Sequence, residues 1–244
     1  MSSPSVEVRA RQSRGTSNED ILKMVLRAIE QRHLDGECIA DVGCGQGDLH
    51  DYVRSRFARY VGIDAVRYED FPEQAEFCAL DLDSGVLPLA DGSADVVAAI
   101  EVIEHLENPR DFMRKLVRLA KPGGWIIVTT PNQLSFLSLL TLVVKQRFQA
   151  FQDVHYPTHL TALLEVDLRR VAAEAGLAKI EIEYSRSGRI PLTARHYPRL
   201  LSQWFPRALS ENVLVIGQKV GDTVRAATNQ NTRLREGRPV KAAQ

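Results

Sequence analysis

The chain has 244 residues, and its 31 basic side chains balance 31 acidic ones, for a formal net charge of zero. That length suits one α/β domain with a few additions, and the balance excludes a global nucleic-acid footprint, so any basic surface is local. Hydrophobic residues at 44% and charged residues at 25% describe a globular protein, with no apolar run reaching the roughly 18 to 20 residues of a spanning helix.

Residues 1–16 are polar, lack the apolar run of a secretory signal, and are expected to form a flexible arm. Thr16, Ser17 and Asn18 are N-cap types. "EDILKMVLRAIEQRH" then places Ile21, Leu22, Val25, Leu26 and Ile29 at helical spacing. "ECIADVG" predicts a short buried strand stopped by glycine, and "DLHDYVRSRF" a helix. "YVGID", "AEFCALDL" and "ADVVAAI" predict the second, third and fourth strands. "PRDFMRKLVRLA" predicts an amphipathic helix stopped by Lys121-Pro122-Gly123-Gly124, ahead of a fifth strand in "WIIVTTP". This alternation implies a parallel sheet covered on both faces. Further on, "LSFLSLLTLVVKQRFQAF" predicts a largely apolar helix and "TALLEVDLRRVAAEAG" an amphipathic one ending at Gly176. "AKIEIEYS" and "NVLVIGQKV" predict two strands that pair as an antiparallel edge. The polar, basic residues 221–244 lack periodicity and are expected to be a disordered tail, leaving 17–220 as the domain. Cys38, Cys44 and Cys78 have no metal spacing, so reduced thiols and a cytoplasmic location are expected.

The stretch "IADVGCGQGDLHDY" sets Gly43, Gly45 and Gly47 directly after the first strand. A bare backbone there lets a ligand press against the next helix's N-terminus. A dinucleotide would want glycine where Asp48 stands, because a carboxylate beside a pyrophosphate repels it. Asp41 is equally awkward for a phosphate, yet suits a ligand carrying an ammonium group. S-adenosylmethionine is such a ligand: an amino acid end, a sulfonium, a ribose and an adenine. Asp64 ends the second strand about 20 residues on, where an acid accepts ribose hydroxyls. Asp81 ends the third, where a side chain meets the adenine amino group.

With "DVGCGQG", "GID", "ALDLD", "LPLADGSADVVAAIEVIEHL", "AKPGG" and "TTPN" in order, the chain from about residue 20 to 220 resembles the class I S-adenosylmethionine-dependent methyltransferases. The resemblance implies an α/β, Rossmann-like fold: a seven-stranded, mostly parallel sheet with helices on both faces and one antiparallel strand. By position it implies that Gly43, Cys44 and Gly45 contact the methionine portion, Asp64 the ribose, and Asp81 with Leu82 the adenine. Ile100 and Glu101 would line the pocket after strand four. Asp83 is close enough to Asp81 to take its role instead.

"EVIEHLENP" is the second constellation. If a helix starts near Glu101, then Glu101, Glu104 and His105 share one face at i, i+3 and i+4, a set able to hold a divalent cation such as Mg2+. "DVHYPTHLT" adds His155 and His159. Two metal-using families resemble this stretch: the ubiquinone-biosynthesis O-methyltransferases and the small-RNA 3′-end 2′-O-methyltransferases. The RNA family's further neighbouring histidine is absent, since Leu106 follows His105, and nucleic acid is not expected as a partner. Without a metal, His105, Glu104, His155 or His159 would orient the acceptor or act as general base, help worth roughly 10²- to 10⁴-fold. Alignment of nucleophile, methyl carbon and sulfur supplies much of the rest.

The resemblance implies that the acceptor is gripped by insertions after strands four and five and by the N-terminal helix; the insertion after strand five here spans residues 132–161. The apolar helix within it carries Leu134, Phe136, Leu137, Leu139, Leu140, Leu142, Val143 and Val144 on nearly all faces, followed by Lys145 and Arg147. Three uses stay open: a membrane-interface segment reaching a lipid-linked substrate on the inner membrane face, a lid, or a homodimer contact. From Tyr184 to Ser210 there is no acid, while Arg186, Arg189, Arg195, Arg199 and Arg207 alternate with aromatics, which suits a phosphate or carboxylate partner. The order "TPN", apolar helix, "HYPTHLT" and "AGL" also looks like envelope-glycan methyltransferases. The reading is a methyltransferase acting on the oxygen of a small molecule or glycan. Metal-assisted quinone-pathway or catechol chemistry and a non-catalytic cofactor-binding partner protein are the alternatives.

Overall fold

The computed structural model describes residues 11, 15–83 and 85–221. The expected tail beyond Gly221 lies outside the described residues, and of the expected arm only Arg11, Gly15 and Thr16 are described. In chain order the elements are α1 (Glu19–Gln31), β1 (Gly36–Val42), α2 (Leu49–Val53), β2 (Phe57–Asp64), β3 (Glu76–Ala79), β4 (Ala94–Ile100), α3 (Pro109–Leu119), β5 (Ala120–Pro131), α4 (Phe136–Lys145), α5 (Glu165–Glu174), β6 (Leu177–Tyr184), α6 (Arg199–Trp204) and β7 (Asn212–Lys219). Short 3-10 turns cover Ile103–His105, Gln149–Phe151 and Asp153–His155.

One seven-stranded sheet runs β3-β2-β1-β4-β5-β7-β6. The first five strands are mutually parallel, and β7 is antiparallel to both β5 and β6. Alternation along β1 sends Ile39 to one face and Cys38, Ala40 and Val42 to the other. α1 and α2 cover the first face with Ile21, Val25, Ile29, Leu49 and Val53. α3 and α5 cover the second with Phe112, Leu116, Leu168 and Val171. This is the doubly covered, mostly parallel sheet with one antiparallel strand that the sequence implied.

Three boundaries differ from expectation. α2 stops at Val53, because Phe57 is claimed by the β1–β2 ladder, pairing with Gly36, and is buried there. The Lys121–Gly124 stretch does not end the helix–strand connection as a free turn. Ala120 already pairs with Ala94 and Trp125 with Val96, so these residues bulge within β5. The apolar helix ends at Lys145, where Gln146 takes left-handed backbone (φ 56°) and caps Leu142 through its N–H.

The order reverses between β1 and β4, so a crevice opens at their carboxyl ends. The ladder pairs Pro131 with Asn212 and Tyr184 with Val213. The insertions after β5 and after β6 therefore leave the sheet at that same end.

Candidate active site

The crevice is a cavity of about 500 Å³, within the range of ligand sites. Gly43 (φ 80°) and Gly45 (φ 52°) form its floor. A Cβ on Gly43 would come within 2.2 Å of Val102, and one on Gly45 within 2.1 Å of the Gly15 carbonyl oxygen. The glycine at 45 thus answers a close approach by the chain itself as well as by a ligand. Asp64 stands at the end of β2, where its Oδ2 accepts the Gly45 N–H at 2.9 Å and its Oδ1 the Ala65 N–H at 2.6 Å. Burial pushes this carboxyl up, and those amides oppose the push by favouring the ionised form.

Gly43, Cys44, Gly45, Asp64, Asp81, Leu82, Ile100 and Glu101 all line the cavity, as do Glu104, His105, His155 and His159. Two expected cofactor contacts, Asp41 and Gly47, do not. Asp41 is 2% exposed, beneath the loop, and accepts a hydrogen bond from the Tyr60 hydroxyl; burial raises it to about 7. Gly47 turns toward Pro72 and Phe71, which a Cβ there would strike. Asp81 lies two residues beyond β3 and not at its end. Its Oδ1 accepts the Asp83 N–H, while Asp83 Oδ1 accepts the Glu107 N–H.

One wall was anticipated only in part: the N-terminal helix was expected at the site, but the segment before it was not. Gly15, Thr16, Ser17, Asn18 and Ile21 line the cavity. The Gly15 carbonyl accepts the Gln46 N–H at 2.7 Å, and Asp48 Oδ2 accepts the Ser17 N–H at 2.9 Å. Asp48, the residue that argued against a pyrophosphate, secures this wall. The only signal for it was the Thr16-Ser17-Asn18 run, which read as a helix cap alone.

After β4, the helix expected to start near Glu101 is absent, and a 3-10 turn covers Ile103–His105 instead. Glu101 has left-handed backbone (φ 55°), and its N–H donates to Thr129 Oγ1 at 3.0 Å. Its carboxylate accepts from Thr129 Oγ1 and from Asn212 Nδ2 at 3.1 and 3.0 Å. These bonds hold Glu101 against the sheet, and it is not part of the group of ligand atoms that converges among the described residues. The ligand atoms that do converge, all within 4.8 Å of one another, belong to Glu104, His105 and His159.

Local backbone bonds explain that convergence. The Leu160 and Thr161 N–H groups donate to the Glu104 carbonyl at 2.8 and 3.0 Å, pinning the insertion to the turn after β4. His105 Nδ1 donates to the Thr158 carbonyl at 2.9 Å and His159 Nδ1 to the Ala150 carbonyl at 2.7 Å, since a carbonyl only accepts. When neutral, each ring then keeps an Nε2 lone pair. The two rings meet edge to face with centroids 4.7 Å apart, and His155 stacks on His159 at 5.3 Å. Burial, with His105 facing it, lowers His159 to about 4, so it is neutral near pH 7. Burial lowers His155 as well. Glu104 is fully buried, and neither carboxylate oxygen has a hydrogen-bond partner among the described residues. Its own backbone N–H and then the Thr130 hydroxyl stand near enough to favour its ionised form without reaching normal hydrogen-bond geometry. Burial raises both Glu101 and Glu104, and the charge of Glu104 adds to the rise at Glu101.

Residues 13–182 match the family described as "Methyltransferase domain". The chain is 30% identical over 161 residues to a ubiquinone biosynthesis O-methyltransferase of Burkholderia pseudomallei, covering 62% of this chain and 68% of that one. It is 27% identical over 208 residues to the enzyme of the same name from Leptothrix cholodnii, covering 80% and 83%. Among solved structures it is similar to a SAM dependent methyltransferase from Archaeoglobus fulgidus, with a TM-score of 0.59 and 15% identity over 88% of this chain and all of that one.

Proposed function

Because the chain belongs to the methyltransferase-domain family, we propose that its strand-end cavity holds S-adenosylmethionine beside the hydroxyl of a small molecule or envelope glycan, the oxygen that becomes methylated. Bound S-adenosylmethionine supplies a methyl group already activated by the sulfonium. The residues present suit it: a floor at Gly43 and Gly45 where any side chain would collide, an acid at the β2 end, and no lysine or arginine for a pyrophosphate among the described residues of the lining. Gly43, Cys44 and Gly45 would hold the methionine portion, Asp64 the ribose, and Asp81 with Leu82 the adenine. Gly15–Asn18 closes the cavity over them.

The observation that carries the reading is that this same cavity is lined by two imidazoles, His105 and His159, anchored through Nδ1. His105 Nε2 accepts the acceptor hydroxyl's proton as the oxygen attacks. His159, held neutral and weakly basic, positions His105 through the ring contact. Glu101, fixed by Thr129 and Asn212, shapes the wall between the two halves. The test is transfer of labelled methyl from S-adenosylmethionine to a panel of catechols, phenols and glycans. Labelled O-methyl product supports the reading, and label on nitrogen or carbon only contradicts it.

A metal-assisted variant is favoured by one observation, the partnerless buried carboxylate of Glu104 beside His105 and His159. One carboxylate with two imidazoles suits a borderline dication such as Mn2+, Fe2+ or Zn2+ better than the oxygen-seeking Mg2+ first expected. Glu104, His105 and His159 would hold it, and the ion would acidify a bound hydroxyl. Loss of transfer with a chelator and its recovery with one of these ions decides for this variant; indifference to chelator decides against it.

A further inference from the structure

α4 is built inside out. Its polar residues face the protein: Ser138 and Thr141 are buried, Ser138 Oγ accepts the Gln149 N–H at 3.2 Å, and Thr141 Oγ1 donates to the Leu137 carbonyl at 2.7 Å. Its apolar residues face outward, Phe136, Leu139 and Leu140 in part and Val143 and Val144 at 80% and 71% exposure. A surface helix of a globular protein does the reverse. Val154, at the cavity rim, and Tyr156 continue the apolar surface.

The second insertion adds to it. Arg189 and His196 bridge a small hairpin that carries Leu192 fully exposed, and Leu200, Trp204 and Phe205 are exposed on and after α6. The two insertions are joined. The Phe136 N–H donates to the Ala208 carbonyl at 2.7 Å, and Asn132 Nδ2 to the Arg207 and Ser210 carbonyls at 2.8 and 2.9 Å. Of the five arginines here, Arg189 pairs with Glu211 and Arg207 with Glu165. Arg186, Arg195 and Arg199 have no acidic partner among the described residues.

We propose that the outer face of α4 and the Arg186–Phe205 segment dock on the surface of an anionic lipid bilayer, with the cavity mouth at the membrane. Arginine forks take lipid phosphates, while Trp204, Leu192 and the valines of α4 enter the headgroup boundary. A second copy of the chain is the poorer occupant. A two-fold contact sets a patch against itself, and this one would oppose arginines to arginines with no acid from Tyr184 to Ser210. The docking stands on this surface alone; only its consequence, an acceptor delivered from the bilayer, rests on the methyl-transfer reading.

The test is co-sedimentation of the full chain with phosphatidylglycerol-containing vesicles and with pure phosphatidylcholine vesicles, read together with tryptophan emission. Binding to the anionic vesicles, weakened by salt and accompanied by a blue shift, is expected. A V143S/V144S variant and an R195Q/R199Q variant should each lose affinity at least about tenfold. Their affinity for S-adenosylhomocysteine should be unchanged, which shows that they are folded. Absence of vesicle binding, binding indifferent to V143S/V144S, or a solution dimer that V143S/V144S dissociates would each overturn the proposal. Vesicle binding by a chain that takes no S-adenosylhomocysteine would instead discredit the methyl-transfer reading and leave the docking intact.

Discussion

Asp41 and His105 show how burial divides the work of polar residues around the cavity. Asp41 is sealed below the glycine loop with one oxygen on Tyr60 and the other unpaired. Burial is the main cause of its rise from 3.8 to about 7, and Asp64 and Asp48 add to it against the Tyr60 hydrogen bond. A carboxyl raised on folding stabilises the protein below its unfolded value, and that contribution is lost as pH rises through the folded one. Asp41→Asn keeps an acceptor for Tyr60 and removes the charge. It should therefore gain stability relative to the unsubstituted chain between about pH 4 and 7, by up to about 4 kcal/mol, in urea unfolding series at the two ends. His105 is the base of the proposed transfer. His105→Gln should lower kcat by about 10²-fold or more and leave S-adenosylhomocysteine affinity within about twofold, a split that a merely structural role would not give. Asp64, Gly43 and Gly45 were legible in the sequence because a strand's end and a glycine turn fix their place locally. The place of Glu101 on the cavity wall was legible too, but its left-handed backbone was not, since its N–H is held by Thr129, 28 residues away.

The elements divide by how local their causes are. α3 begins where Pro109 follows Asn108, whose side chain accepts the Asp111 N–H at 3.0 Å. Asn108→Ala should cost about 1 kcal/mol, a Tm drop of roughly 2–4 °C, with methyl transfer unchanged, as thermal unfolding and an activity assay would show. The Asn108 cap was not singled out, whereas the Asn18 cap and the apolar runs of β1, β2, β4 and β5 are written in consecutive residues and were readable. The early end of α2 and the bulge at Lys121–Gly124 were not, because pairing with a distant strand decides both. α4 was recognised as apolar and helical, but its inverted orientation depends on Gln149 reaching Ser138.

On the scale of the whole molecule, the sheet's topology collects chemistry from distant parts of the chain at one end. The glycine loop, Asp64, the turn after β4 and both insertions meet there, and the segment before α1 closes over them. Strand alternation made the sheet predictable; the closing wall was not, since its bonds run from Gly15 and Ser17 to Gln46 and Asp48. A chain starting at Asn18 should keep its fold by circular dichroism but bind S-adenosylhomocysteine about tenfold more weakly, a loss of about 1.4 kcal/mol.

Titration calorimetry with S-adenosylhomocysteine, run on the unsubstituted chain and on Asp64→Ala, tests the central assignment most directly. One nucleoside per chain, bound in the micromolar range (about −8 kcal/mol) and weakened at least about tenfold by the substitution, is the predicted result. No heat from the unsubstituted chain, or identical isotherms for both, would contradict it.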